Sequence, residues 1–182
     1  MHVSTTILAF AAAFIWGDWR NWVKYYSTMQ FIALGNLTYS LICTNYFLWR
    51  FVPESFSNYT ITDLTYTFIV LPASTLLFLS KYPEGSFYKK VIYYLKWIIV
   101  FIGFEYLFLI NNGIVHLHGW SIWWSLAFVT FMFPLLRLHY KKPLLGCLCA
   151  IFIGVFITLY FRVPVNIPIE FRQLSLLWRW TV

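Results

Sequence analysis

Five apolar runs, each broken off by a charge or a proline, set the pattern of the chain: roughly 28 to 50, 62 to 80, 90 to 111, 120 to 137 and 143 to 162. A hydrocarbon core of about 30 Å is crossed by about 20 residues of α-helix, and each run is near that length. Each therefore predicts a transmembrane helix. The apolar run before them, Val3 to Trp16, is shorter. It lacks the basic start of a secretory signal and continues into Phe14, Ile15 and Trp16, where a cleavage site wants small residues, so it predicts a retained helix, thin or re-entrant. The expectation is an all-α integral membrane protein, a single domain over 1-182 built as a bundle of six transmembrane helices, five full-length and one short.

Two further segments carry an interfacial pattern. Over 16-26, Trp16, Trp19 and Trp22 recur every three residues, with Arg20 and Lys24 a turn apart on another face, as in an amphipathic helix lying at the headgroup boundary. In the tail 163-182, after Pro164 and Pro168, Phe171, Leu174, Leu177 and Trp178 form an apolar stripe, with Arg172, Gln173, Ser175 and Arg179 off it. That tail is expected on the outer surface of the membrane.

Composition agrees with the pattern, since 61% hydrophobic and 10% charged residues over 182 positions lie far outside the range of a soluble domain. The net charge of +7 would suggest nucleic acid in a soluble protein, but here the cations sit in short loops between apolar runs. There they set topology and meet anionic lipid headgroups, so membrane lipids are the expected partners and nucleic acid is not. Arg20, Lys24, Lys81, Lys89, Lys90, Arg137, Lys141 and Lys142 fall on one side; Arg50, Arg162, Arg172 and Arg179 fall on the other. The positive-inside rule places the first set in the cytoplasm and both termini outside; a re-entrant first helix would move only the N-terminus inward. Cys43, Cys147 and Cys149 lie in apolar runs, and the last two point about 200° apart on a helix, which suits neither zinc nor a disulfide.

Three blocks carry a resemblance: GDWRNWVKYYST (17-28), TDLTYTFIVLPASTLLFLSKYP (62-83) and GWSIWWSLAFVTFMFPLLRLHYKKPL (119-144). The chain resembles an uncharacterised family of small multi-pass membrane proteins of spore-forming Gram-positive bacteria. The resemblance implies a bacterial cytoplasmic membrane and no assigned activity, so it supplies no catalytic residue.

Candidate chemistry gathers at one depth. Glu105 is the one carboxylate between Ile98 and Ile110 and lies fifteen residues beyond Lys90, about 22 Å along a helix, in the outer third of the membrane. Lys96 is nine residues earlier on the opposite helical face, so the two cannot pair and Lys96 snorkels inward. Glu105 must be protonated, solvated or paired on another helix. Asn45, Arg50, Asp63 and Arg162 reach the same depth, with hydroxyls that include Ser121 and Ser125, and Arg50 or Arg162 is expected within ion-pair or one-water reach of Glu105. His116 and His118 from the outer loop complete the ligand-binding candidates; with Glu105 or Asp63 they could hold a transition metal, although a plain polar loop is the weightier reading and neither metal nor cofactor is expected.

On the cytoplasmic side, Arg137, His139, Lys141 and Lys142 suit a lipid phosphate or a protein partner, and equally a topology signal. Trp120, Trp123 and Trp124 read as an aromatic belt, Pro72 and Pro134 as kinks, and Asn36 as an interhelical hydrogen-bonding residue. The sequence holds no H-E-x-x-H, no C-x-x-C, no G-x-S-x-G and no phosphate-binding glycine loop, which disfavours an enzyme. The reading that follows is a membrane binding protein, or an accessory or sensor protein, with a polar layer around Glu105 and a small or lipidic ligand. The alternatives are a small transporter or channel working as a homo-oligomer or with a membrane-protein partner, and a membrane enzyme acting on lipid.

Overall fold

The computed structural model describes residues 1-54 and 57-172. The tail positions Gln173, Leu174, Ser175, Leu177, Trp178 and Arg179 of the expected surface stripe lie outside the described residues. Six helices follow one another: α1 (His2–Trp16), α2 (Val23–Ile42), α3 (Tyr59–Ser80), α4 (Phe87–Ile110), α5 (Ile122–Lys141) and α6 (Pro143–Tyr160). Consecutive helices run in opposite directions. At one end His2 of α1 bonds Val52 just ahead of α3, and the end of α4 meets the start of α5; at the other, His139 of α5 bonds Thr28 of α2. Four of the helices, α3 to α6, are long and apolar enough to cross a membrane. At 15 residues α1 is short, and Gln30, Asn36 and several hydroxyls make α2 more polar than the four.

The predicted runs after residue 60 match their helices to within a few residues. The run 28 to 50 does not. Its helix begins earlier, at Val23, and stops at Ile42; the chain then turns through 43-48 and returns as strand β1 (Trp49–Phe51), paired antiparallel with β2 (Ile114–His116). Tyr39 organises this reversal by accepting hydrogen bonds from the backbone N–H of Leu48 (3.1 Å) and Trp49 (2.9 Å) and donating to the Trp49 carbonyl (2.6 Å). Asn45 sits in the turn at φ 61, a left-handed conformation that Asn tolerates better than most residues. An otherwise all-α protein thus carries a two-stranded ribbon at one end.

The interfacial helix expected over 16-26 is also not formed. α1 ends at Trp16, Gly17 is extended, and a single 3-10 turn at Trp19–Asn21 leads into α2. A Cβ on Gly17 would lie 2.3 Å from the Ala13 carbonyl oxygen, so this tight exit requires glycine. Asp18 fixes the turn by accepting from Asn21 Nδ2 (3.0 and 3.1 Å) and Tyr25 Oη (3.3 Å). Trp16, Trp19 and Trp22 consequently share no continuous helical face.

α3 packs on α1 and α2, and α5 packs on α4 and α6 while touching α2. Inside α3 a π-helical stretch, Tyr66–Val70, precedes Pro72. Pro72 has no N–H to continue the ordinary ladder, and a wider turn is one way a helix absorbs that loss. The main core joins Tyr25, Leu76, Phe78, Leu79, Ile98, Val129, Met132, Phe133 and Leu136. Outward faces stay apolar: of α4 only Ile98 and Phe108 are buried, and of α6 only Gly146.

Candidate functional site

The ribbon end holds the carboxylate of interest. After α4, a turn through Asn111, Asn112 (φ 55) and Gly113 folds the chain back, with the Gly113 N–H donating to the Phe108 carbonyl at 2.7 Å. A Cβ on Gly113 would meet Phe108 at 2.6 Å, so glycine lets β2 lie directly against the helix it has just left. His116, eleven residues after Glu105, is thereby returned to it: His116 Nε2 is 2.8 Å from Glu105 Oε1. Ser125 Oγ on α5 donates to the same carboxylate oxygen, and Trp120 Nε1 donates to Ser125 Oγ at 2.8 Å. Trp120 and Ser125 are buried, whereas the side chains of Glu105 and His116 remain 18% and 12% exposed. The result is an indole-hydroxyl-carboxylate-imidazole chain whose acidic member is partly exposed.

The direct arginine ion pair expected of Glu105 is not formed among the described residues. Successive residues of a strand point to opposite faces, so in the register Trp49↔His116 and Arg50↔Val115 the face that sends His116 to Glu105 sends Arg50 the other way. Arg50 is exposed. Arg162 is exposed too, in a left-handed turn (φ 53) beyond α6. Neither forms an ion pair with Glu105, which is in hydrogen-bond contact with His116 instead.

The other outer candidates scatter. His118 turns away from His116, its Nδ1 2.8 Å from the Phe47 carbonyl oxygen and its ring stacked on Tyr46 at 3.7 Å. Asn45 donates to the Ile169 carbonyl at 3.0 Å, tying the turn after α2 to the segment after α6. Asp63 belongs to a separate buried group between α2 and α3: it accepts from Ser40 Oγ (2.9 Å) and Asn36 Nδ2 (3.3 Å), while Asn36 also donates to Thr67 Oγ1 at 2.7 Å. Asn36 therefore plays the interhelical part expected of it. Among the described residues no three His, Cys, Asp or Glu side chains converge as a metal site.

Two residues gain roles that their sequence positions did not suggest. His2 is buried against Phe108 (ring centres 4.8 Å apart), with Nδ1 3.1 Å from Tyr66 Oη and Nε2 2.9 Å from the Val52 carbonyl oxygen. Arg172, read as a surface position off an apolar stripe, is buried and donates from Nη1 to the carbonyls of Ile42 (2.6 Å) and Thr44 (3.1 Å). A cation at the C-terminal end of α2 meets carbonyls that the helix leaves unpaired, which is favourable there. No local pattern announces either set of contacts, because they join segments 50 or more residues apart.

At the opposite, basic end the group Arg137, His139, Lys141 and Lys142 divides. Two residues on a helix differ by about 200°, so His139 points away from Arg137 and Lys141. Its ring stacks on Phe31 at 4.1 Å and bonds Thr28 Oγ1 at 3.0 Å, deep between α2 and α5. His139 is therefore a packing residue and leaves the headgroup set. Arg137 lies over the rings of Tyr82 (4.2 Å) and Tyr140 (5.2 Å), and Lys141 and Lys142 are exposed.

Fold and site together define a small helical protein with four helices capable of crossing a membrane and a carboxylate-imidazole pair at one end. Compared with family models, with curated proteins and with solved structures, the chain finds no match.

Proposed function

We propose that the chain is a multi-pass protein of the bacterial cytoplasmic membrane that binds a small or lipidic ligand at the ribbon end, through Glu105, and serves as a binding, accessory or sensor protein. One observation carries this reading: among the described residues both hydrogen-bonding partners of Glu105 engage Oε1, so its partly exposed carboxylate keeps Oε2 as an acceptor. A ligand hydroxyl or amine would suit it. Large apolar side chains left exposed on α4 and α6, such as Ile99 (69%), Phe152 (74%) and Leu159 (71%), favour the membrane setting, because a water-exposed face of this kind would drive association. The bacterial setting rests on the family resemblance alone.

The order of the groups argues against acyl-transfer chemistry. In a nucleophilic triad the imidazole stands between hydroxyl and carboxylate; here the carboxylate stands between Ser125 and His116, so no base faces the hydroxyl except the acid itself. The test is native mass spectrometry of the full chain purified from membranes. A lipid or small molecule retained by the wild type should be lost from both Glu105→Gln and His116→Gln. Equal retention in all three proteins would sink the reading.

A second reading, a small oligomeric transporter or channel, is favoured by Asp63. Its buried carboxylate is held by Asn36 and Ser40 with no ion-pair partner among the described residues, a setting that suits a transported cation or proton. Asp63→Asn should then abolish cation or proton flux in liposomes, and a wild-type protein without flux removes this alternative.

A further inference from the structure

The basic end carries a second constellation, remote from Glu105. The turn between α3 and α4 and the last turns of α5 enclose a cleft of about 510 Å³ whose charged lining is Lys90, Arg137, Lys141, Lys142 and Glu84. Four cations against one carboxylate leave three net positive charges around one hollow, and none of the five takes part in an ion pair among the described residues. Like charges gathered in a cleft raise its potential and attract an anion. Arg137 is the ordered member. Its guanidinium lies over Tyr82 and Tyr140, and its Nε is buried without a hydrogen-bond partner among the described residues. A guanidinium packed over two aromatic rings has little further freedom to lose on binding, and its planar fork matches phosphate oxygens, while lysines add mobile charge.

We infer that this cleft binds a phosphate group, carried either by an anionic lipid headgroup or by a soluble phosphate compound. The cleft is wide enough for the group together with part of what it is attached to. Lys141 and Lys142 close the site from the rim, and Arg137 orients it from the wall. The inference is independent of the Glu105 reading, since the two sites lie at opposite ends of the bundle.

The experiment uses the full chain in detergent, with thermal shift and native mass spectrometry as readouts and phosphatidic acid, phosphatidylcholine and inorganic pyrophosphate as probes. Phosphatidic acid or pyrophosphate should saturate one site per chain, and phosphatidylcholine should bind far more weakly. Replacing two exposed rim cations, Lys141→Gln with Lys142→Gln, should weaken that binding roughly tenfold or more. The double variant Arg20→Gln with Lys24→Gln removes the same charge from the same end outside the cleft, and should keep wild-type affinity. Phosphatidic acid that pyrophosphate cannot displace identifies a lipid headgroup site; pyrophosphate binding alone identifies a soluble phosphate ligand; both support the inference. No saturable binding, equal binding of phosphatidylcholine, or equal losses in the two double variants would overturn it.

Discussion

Ser125 joins two halves of the hydrogen-bonded chain at the ribbon end, taking the indole N–H of Trp120 and giving its own proton to Glu105. Ser125→Ala leaves the buried Trp120 Nε1 without an acceptor, at a cost of about 1 to 3 kcal/mol. In detergent the half-unfolding temperature should fall by about 2 to 4 °C for each kcal/mol lost in a chain of this size. An unchanged midpoint would show that the chain contributes nothing to stability. Cys43 offers a separate test. Burial pushes its thiol up to about 12, although the charge of Arg172 pulls the other way. The raised value keeps the reactive thiolate scarce at neutral pH and makes it more abundant as pH climbs toward 12. With Cys147 and Cys149 changed to alanine, maleimide should modify Cys43 on the order of ten times more slowly in the folded protein than in the unfolded one at pH 8, and faster as pH rises. Equal rates in the two states would place the thiol in solvent.

Two helices meet closely where α5 turns into α6. A Cβ on Gly146 would lie 2.6 Å from the Cα of His139, and because that atom is backbone the two helices themselves would have to separate. Separation would also pull His139 from Phe31 and Thr28, so Gly146→Ala should cost about 1 to 3 kcal/mol, read as a lower midpoint in the same thermal assay. A wild-type midpoint would show that the α5-α6 crossing is slack. At this scale the runs 62 to 80, 90 to 111, 120 to 137 and 143 to 162 were legible, because length and hydropathy are local properties. The run 28 to 50 misled for the same reason: Tyr46, Phe47, Leu48 and Trp49 are as apolar as a helix interior, and hydropathy does not separate a helix from an apolar turn and strand. What ends α2 is Tyr39 gathering the backbone of Leu48 and Trp49, with Arg172 arriving from the far end of the described chain.

Taken whole, the molecule has two unlike ends. Arg20, Lys24, Lys81, Lys89, Lys90, Arg137, Lys141 and Lys142 gather at one, and Arg50, Arg162 and Arg172 lie with the ribbon at the other. In the proposed membrane setting the positive-inside rule turns the ribbon outward. In a cysteine-free background, a cysteine at Ser57 or Leu117 should react with an impermeant thiol reagent in intact cells, and one at Ser86 or Lys142 should not. The reverse pattern would overturn the orientation and would place Glu105 on the cytoplasmic side.

The sequence by itself determined the order of the long apolar helices, which cations share an end, and that Asn36 would bond across a helix interface, because each depends on run length, a rise of 1.5 Å per residue and the cost of an unpaired polar group in an apolar setting. It also singled out Glu105 as a carboxylate in need of a partner. Which partner was decided only in three dimensions. His116 reaches Glu105 because Gly113 admits a tight return against Phe108 and because the strand register points position 116, not 50, at α4. His139 turns inward and leaves Arg137 in the basic cleft through the angular spacing of α5, and the destination of each face depends on α2 and the turn after α3 lying beside it. Run length and hydropathy are properties of neighbours in the chain, whereas side-chain partners are chosen by turns and registers that distant segments hold in place.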